Sequence, residues 1–469
     1  MNIKKLFAIT FSILLFSIVY AQSEKPKVVD TTSLATILRG GHFNGKVRIY
    51  GMATQNLGKL ADNAAIAVGG SLHYESPVLW HRMSFEIGGM FIYNLASTDL
   101  GKPDTTTQVK DRYEIALFDL ENPANRTNLD RMDEFNVRFH FSKKSKLTLG
   151  RQDINTPLIN LQDGRMRPSL MSGAWLNIAV IKNTTLQGGW LWSAAPRSTV
   201  RWFTAANSIG VYANGVTKTG EKAVYFMNLT SKGVFVMGLN SKFNQNWKLS
   251  VWDYCIENIS NTVFLQTDFE HPRSKNQGNG LKFKAALQVI RQDAINNGGN
   301  ADAKKAYVER GSKTYVFGGR LGFATAQTQF LLNHTRITAD GRFTFPREWG
   351  RDPLLTFMQR ERNEGAGDVN ATNFVIIHEN EAKNGQLMAG LGYYRMPDVK
   401  NFRLNKYGLP SYLQLNMSAK YQFDGLLKNL NLEILVVHKW NKGALYNDDR
   451  YRINKVDMTN YNLILNYGF

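Results

Sequence analysis

Two stretches of this chain gather side chains that can hold an anion. In "LQDGRMRPS", Asp163 is followed at two-residue steps by Arg165 and Arg167. A guanidinium offers a planar fork of donors that matches a carboxylate, and an adjacent Asp can hold it in place. In "FPREWGRDPLLTFMQRERNEG", residues 345–365, the charges are mixed: Arg347, Glu348, Arg351, Asp352, Arg360, Glu361, Arg362 and Glu364. That pattern reads in two ways. It stiffens a loop through ion pairs, each worth little on an exposed surface, or it offers both signs to a zwitterion. Other chemistry is missing. There is no G-x-S-x-G, no H-E-x-x-H, no CxxC and no glycine-rich phosphate loop. The eight histidines are scattered and Cys255 is the single cysteine, so neither a metal site nor a cofactor is expected.

The elements that must position these residues are strands. In "LQLNMSAKYQF", Leu413, Leu415, Met417, Ala419, Tyr421 and Phe423 alternate with Gln414, Asn416, Ser418, Lys420 and Gln422. The same period of two runs through "FNVRFHF", where Arg138 takes the polar face. It recurs in "LKFKAALQV" with Lys282 and Lys284, and in "TYVFGGRLGF" with Arg320. A soluble sandwich would turn the apolar face inward. A transmembrane barrel turns it to lipid and the polar face to a watery lumen. Strands of ~10 residues span a bilayer when tilted. Aromatics such as Trp190, Trp192, Tyr393, Tyr394 and Trp440 are placed for interfacial girdles. Both features favour the barrel. Its polar-face cations, Arg138, Lys282, Lys284, Arg320 and Lys420, then have to face water. At the bilayer midplane each would cost ~2–4 kcal/mol. Inside, they form a basic lumen wall that attracts anions, or are simply solvated charges.

The first 21 residues read as an export signal: Lys4 and Lys5, then "LFAITFSILLFSIVY", then Val19-Tyr20-Ala21 before Gln22. Its removal takes 469 residues to 448 and the formal charge from +19 to +17. The expected division is 1–21 signal peptide, 22–45 short N-terminal segment and 46–469 barrel. At ~25 residues per strand and connection the barrel has about 18 strands, with sixteen nearly as compatible. The charge does not point to nucleic acid, because the cations alternate along strands instead of clustering with aromatics, and the chain is exported. The expected partners are outer-membrane lipid and small hydrophilic solutes.

The last strand keeps the rhythm. Tyr461, Leu463, Leu465, Tyr467 and Phe469 form one apolar face. A barrel spans lipid only if it closes on itself, so the final strand is needed to seal the ring. An aromatic last residue on such a strand resembles the signal read by the outer-membrane assembly machinery of Gram-negative bacteria, which adds that machinery as a partner.

Three segments resemble the OprD-type family of outer-membrane porins. "GRQDINTPLINLQDGRMRPSLMSGAW" is similar to the family's strand and constricting third loop, with Asp163, Arg165 and Pro168 in an Asp-x-Arg-x-x-Pro element and Pro157 upstream. "FPREWGRDPLLTFMQRERNEG" is similar to a long extracellular loop. "YGLPSYLQLNMSAKYQFDGLLKNL" is similar to the late strands and their periplasmic turn. The resemblance implies an all-β transmembrane antiparallel barrel of about 18 strands with an inward-folded constriction loop. Asp163, Arg165 and Arg167 would lie at the constriction, the basic wall would lead solutes inward, and Arg347, Glu348, Arg351 and Asp352 would form an outer vestibule. The function it implies is passive diffusion of small hydrophilic, anionic or zwitterionic solutes, with no enzymatic step. The alternative is an outer-membrane barrel hydrolase with a dispersed nucleophile and base.

Overall fold

The computed structural model describes residues 33–162, 165–179, 181–271 and 280–469. The expected signal peptide and Asp163 lie outside the described residues. A short helix, Leu34–Gly40, leads into the first strand. The strands are β1 (His42–Asn56), β2 (Asn63–Glu75), β3 (Met83–Ser97), β4 (Arg131–His140), β5 (Lys146–Gln152), β6 (Leu170–Ile178) and β7 (Thr184–Ala195). A two-residue strand, β8 (Phe203–Thr204), is followed by β9 (Val234–Lys242), β10 (Trp247–Ile256), β11 (Ser260–Glu270), β12 (Lys282–Ala294), β13 (Lys313–Ala324) and β14 (Thr328–Ile337). The last five are β15 (Val369–Glu379), β16 (Gly385–Arg395), β17 (Tyr412–Gln422), β18 (Leu430–Asn441) and β19 (Met458–Gly468).

Each strand pairs antiparallel with its neighbours, and the ring passes from β7 directly to β9. β8 only folds back on β7 within a loop. Eighteen strands therefore make the barrel. It closes where β1 pairs β19, from Lys46 opposite Gly468 to Asn56 opposite Met458. Closure leaves no strand edge to be satisfied in lipid.

Strand parity sets the two faces. On β19, Tyr461, Leu463 and Tyr467 are exposed, while Asn460 and Asn462 are buried in the lumen. On β17, Met417 faces out and Gln414 and Asn416 are fully buried. Tyr394 is a correction to the aromatic-girdle expectation. Tyr393 faces out, so its neighbour must face in; Tyr394 is buried and stacks on Tyr412 at 4.7 Å.

The lumen is partly filled. One apolar cluster joins inward side chains of β10 to β17, including Trp252, Tyr254 and Ile290, to Phe345 and Trp349 of the 338–368 connection. A second joins β1, β2 and β3 to Leu117, Leu129 and Met166 from two other connections. Connections thus fold inward and fill part of the barrel.

Candidate functional site

The segment Pro353–Arg360 does not project outward. It runs around the inner wall as a belt, and successive strands hold its carbonyls. Gln288 of β12 donates to the Pro353 carbonyl at 2.9 Å. Arg320 of β13 reaches the Leu355 carbonyl at 3.4 Å. Asn373 of β15 and the Tyr394 hydroxyl of β16 both donate to the Thr356 carbonyl, at 2.7 and 2.9 Å. Gln414 and Asn416 of β17 donate to Gln359, at 2.9 and 3.0 Å. Lys439 of β18 donates to the Arg360 carbonyl. The Arg360 side chain completes the path, donating to Asn460 at 2.9 Å, Asn462 at 2.6 Å and the Tyr50 hydroxyl at 3.0 Å. A buried carbonyl needs a donor, and the inward amides supply one at nearly every step.

The 153–169 connection packs beside the belt, with Ile154, Leu158 and Ile159 in the cluster of Phe345 and Trp349. Met166 is fully buried in the β1–β3 cluster, so its neighbours Arg165 and Arg167 are carried to the wall. Arg48 of β1 donates to the Arg165 carbonyl. Two residues on, Tyr50 meets Arg360. Arg48 and Tyr50 share one face of β1, so the two inward loops converge on the same stretch of wall. They also touch directly: Asn160 accepts from the Arg351 amide at 3.2 Å and donates its own amide to Trp349 at 3.0 Å. Gly350 permits that approach, since a Cβ there would lie 2.8 Å from Asn160. Arg48, Arg165 and Arg360 thus lie together on that stretch, a candidate eyelet.

The structure places several expected site residues differently. Arg167 is buried and donates to the Leu129 carbonyl; it braces the loop. Arg138 pairs with Glu75 at 2.5 Å and with Glu86. Lys282 and Lys284 approach Glu270 at 3.2 and 3.9 Å, and Lys420 approaches Glu433 at 3.6 Å. Four of the five wall cations are thus offset by carboxylates, and the fifth, Arg320, is held by Asn333 at 2.5 Å and the belt. Parity reveals which face a residue takes, not which acid the next strand sets beside it.

The outer vestibule assigned to Arg347, Glu348, Arg351 and Asp352 is likewise corrected. These residues lie in the inward loop. Buried Glu348 accepts from the amides of Gly210 and Tyr212, each at 3.0 Å. Asp352 accepts from the amide of Glu364 at 3.1 Å. Arg351 lies 4.4 Å over Phe357. Only Arg347 of the four lines the vestibule that is present, where it sits 4.4 Å over Tyr407 and 3.3 Å from Glu364.

That vestibule is a cavity of about 730 Å³ that Arg165 of the candidate eyelet also lines. Six connections converge on it. They bring the basic residues Lys110, Arg112, Arg165, Arg197, Arg347, Arg362, Lys406, Arg450 and Lys455, with Asp111 the one acid on the lining among the described residues. Arg347 and Arg450 are paired with Glu364 and Asp448 just behind it, and burial holds Lys406 and Lys455 down at about 7. Tyr113, Tyr212, Tyr407 and Tyr451 fill the gaps. None of these loop cations is periodic, so strand parity could not flag them. Arg48 could have been found, because it alternates with Lys46 and Tyr50 in "KVRIYGM".

Burial of the belt loop has a pH consequence. The Asp352 carboxyl is pushed up to about 6 by burial and by neighbouring Glu364. Burial also raises Glu348, Glu361 and Glu364. Unseated, these carboxyls return to about 4. The seated loop therefore binds more protons, and its stability falls as pH rises from about 4 through 6. Open-channel current noise is expected to be roughly twofold lower at pH 4.5 than at pH 7.5, with Asp352→Asn reducing the difference. Noise that rises on acidification would contradict the sign.

The match with known proteins follows the geometry. No curated protein sequence matches the chain. Among solved structures, OccAB1 of Acinetobacter baumannii superposes with a TM-score of 0.71 at 13% identity, covering 96% of this chain and 99% of that one. OpdK of Pseudomonas aeruginosa, solved with vanillate, gives 0.69 at 13% identity over 92% and 99%. OccK8 (OprE) of the same organism gives 0.68 at 14% over the same shares. At these identities the likeness is one of fold. The family model described as "outer membrane porin, OprD family" matches residues 110–368, more than half of the chain and including both inward loops. The chain belongs to the OprD family of outer-membrane porins, a channel of the bacterial outer membrane and not a hydrolase.

Proposed function

We propose that this porin passes small hydrophilic solutes by passive diffusion and favours those carrying a carboxylate, anionic or zwitterionic. One observation carries the reading: among the described residues, nine basic side chains and one acid line a cavity that adjoins Arg48, Arg165 and Arg360, the three arginines we take as the eyelet. Low-dielectric walls focus that field and raise the local anion concentration. Arginine forks replace part of the carboxylate's hydration. Exit requires that no single site hold the solute tightly. The vanillate bound to OpdK is an aromatic monocarboxylate, which makes vanillate a sensible first solute to try.

The test is the reversal potential across a salt gradient in planar bilayers. Wild-type protein should favour anions. Arg48→Gln with Arg165→Gln should lower the anion-to-cation permeability ratio by roughly threefold or more, since charge at a narrow throat is poorly screened. A cation-selective wild type would overturn the reading. We further propose that the outward stripe Tyr461, Leu463, Leu465, Tyr467 and Phe469 is presented to the outer-membrane assembly machinery.

A further inference from the structure

Beside the vestibule lies a second cavity of about 650 Å³, walled by the 196–233, 295–312 and 338–368 connections. The two chambers share Val216 and Lys406. The Val216 amide donates to the Lys406 carbonyl at 2.9 Å, and the Lys406 amide to Gly365 at 3.0 Å, so this residue is the partition between them. The residue is 2% exposed, yet Nζ has no hydrogen-bond acceptor among the described residues. It sits 4.4 Å from the ring centres of both Tyr225 and Tyr307. Ring faces attract an ammonium but leave its N–H groups unmet, and a buried donor without an acceptor is costly.

A second cation in the same wall has the same deficit. Arg342 donates to the carbonyls of Val216 at 2.8 Å, Thr217 at 2.9 Å and Phe402, but its buried Nε finds no acceptor. The acids of this chamber do not answer either group. Glu221 is paired with Lys304 at 2.7 Å, and Glu309 with Lys218. Both pairs are solvent-exposed, and each ties the 196–233 connection to the 295–312 connection.

We infer that this side chamber is a binding site for a small organic anion, its carboxylate accepting from Lys406 and Arg342 and its body resting against Tyr225 and Tyr307. A cavity of this size suits such a ligand. The anion would supply the acceptor that both buried donors lack, which is the reason to place its head there and not at the paired acids. The site is separate from the three eyelet arginines but shares Lys406 with the vestibule, so Ala306→Trp is the variant that tests it independently of ion selectivity.

The experiment titrates the full chain, folded in detergent, with benzoate and, in a separate arm, with inorganic phosphate, by calorimetry. Wild type should bind benzoate, and Lys406→Met should weaken binding by about tenfold, as expected for loss of a charge-assisted bond. Lys406→Arg should retain most of it. Ala306→Trp adds bulk to the side chamber, which Ala306 lines, and replaces neither cation. It should remove benzoate binding while the reversal potential stays at its wild-type value. Heat-modifiability confirms that each variant is a folded barrel. Benzoate binding unaffected by Ala306→Trp would overturn the site, as would phosphate binding as tight as benzoate, because charge alone would then be read. A cation-selective wild type that still loses benzoate on Ala306→Trp would sink the proposed selectivity and leave this site standing.

Discussion

Replacing residues 347–364 with a short Gly-Ser linker is expected to raise single-channel conductance at least roughly twofold and to weaken ion selectivity. The segment is one continuous layer on the inner wall, held from β12 to β1 by inward polar side chains. Its removal also takes away Arg360 and the partner surface of Asn160, so the proposed eyelet loses one arginine and a support. The barrel itself should survive, because every ladder between strands is formed outside this segment. Circular dichroism and heat-modifiability check that point. An unchanged conductance in a folded variant would mean that the throat lies elsewhere. Arg360→Gln is the finer probe. It keeps one hydrogen-bonding group toward Asn460 or Asn462 and removes the charge, so selectivity should move more than conductance.

Removing Phe469 is expected to cut the amount of heat-modifiable barrel in the outer membrane severalfold. Phe469 and Gly45 exchange backbone hydrogen bonds of 3.0 Å in both directions at the β1–β19 seam. The ring lies so close that a Cβ on Gly45 would sit 2.6 Å from it and 2.7 Å from the Ser71 carbonyl. Gly45→Val should therefore mimic the deletion by forcing the ring away. Two causes are separable. If both variants fold slowly in detergent without any cellular factor, the seam is what Phe469 serves. If they fold normally in detergent and fail only in cells, recognition by the assembly machinery is the cause. Wild-type levels of both variants in cells would remove both explanations.

Much of this architecture was legible in the residue order. A period of two with apolar and polar sets needs no partner to be read, because adjacent side chains on a strand must point to opposite faces. That determined the outward stripe of Met417, Tyr461 and Leu463, the inward amides Gln414 and Asn416, and a strand number near eighteen. It also turned Arg138, Arg320 and Lys420 to the lumen. What those cations do there was settled across the barrel. Glu75 and Glu86 come to Arg138 from β2 and β3, more than 50 positions away in the chain. The Leu355 carbonyl comes to Arg320 from a loop that, by its charge, reads as an outer one. That loop turns inward because Phe345 and Trp349 find an apolar seat against Tyr254 of β10, and because inward amides wait for its carbonyls. Burial then strips Glu348, Asp352 and Glu364 of solvent, so a stretch that looks like a solvated ion network is in fact part of the lumen wall. The basic vestibule lies further still from sequence. Its nine cations come from six separate connections with no common spacing, and only the closure of the ring brings their charges into one field.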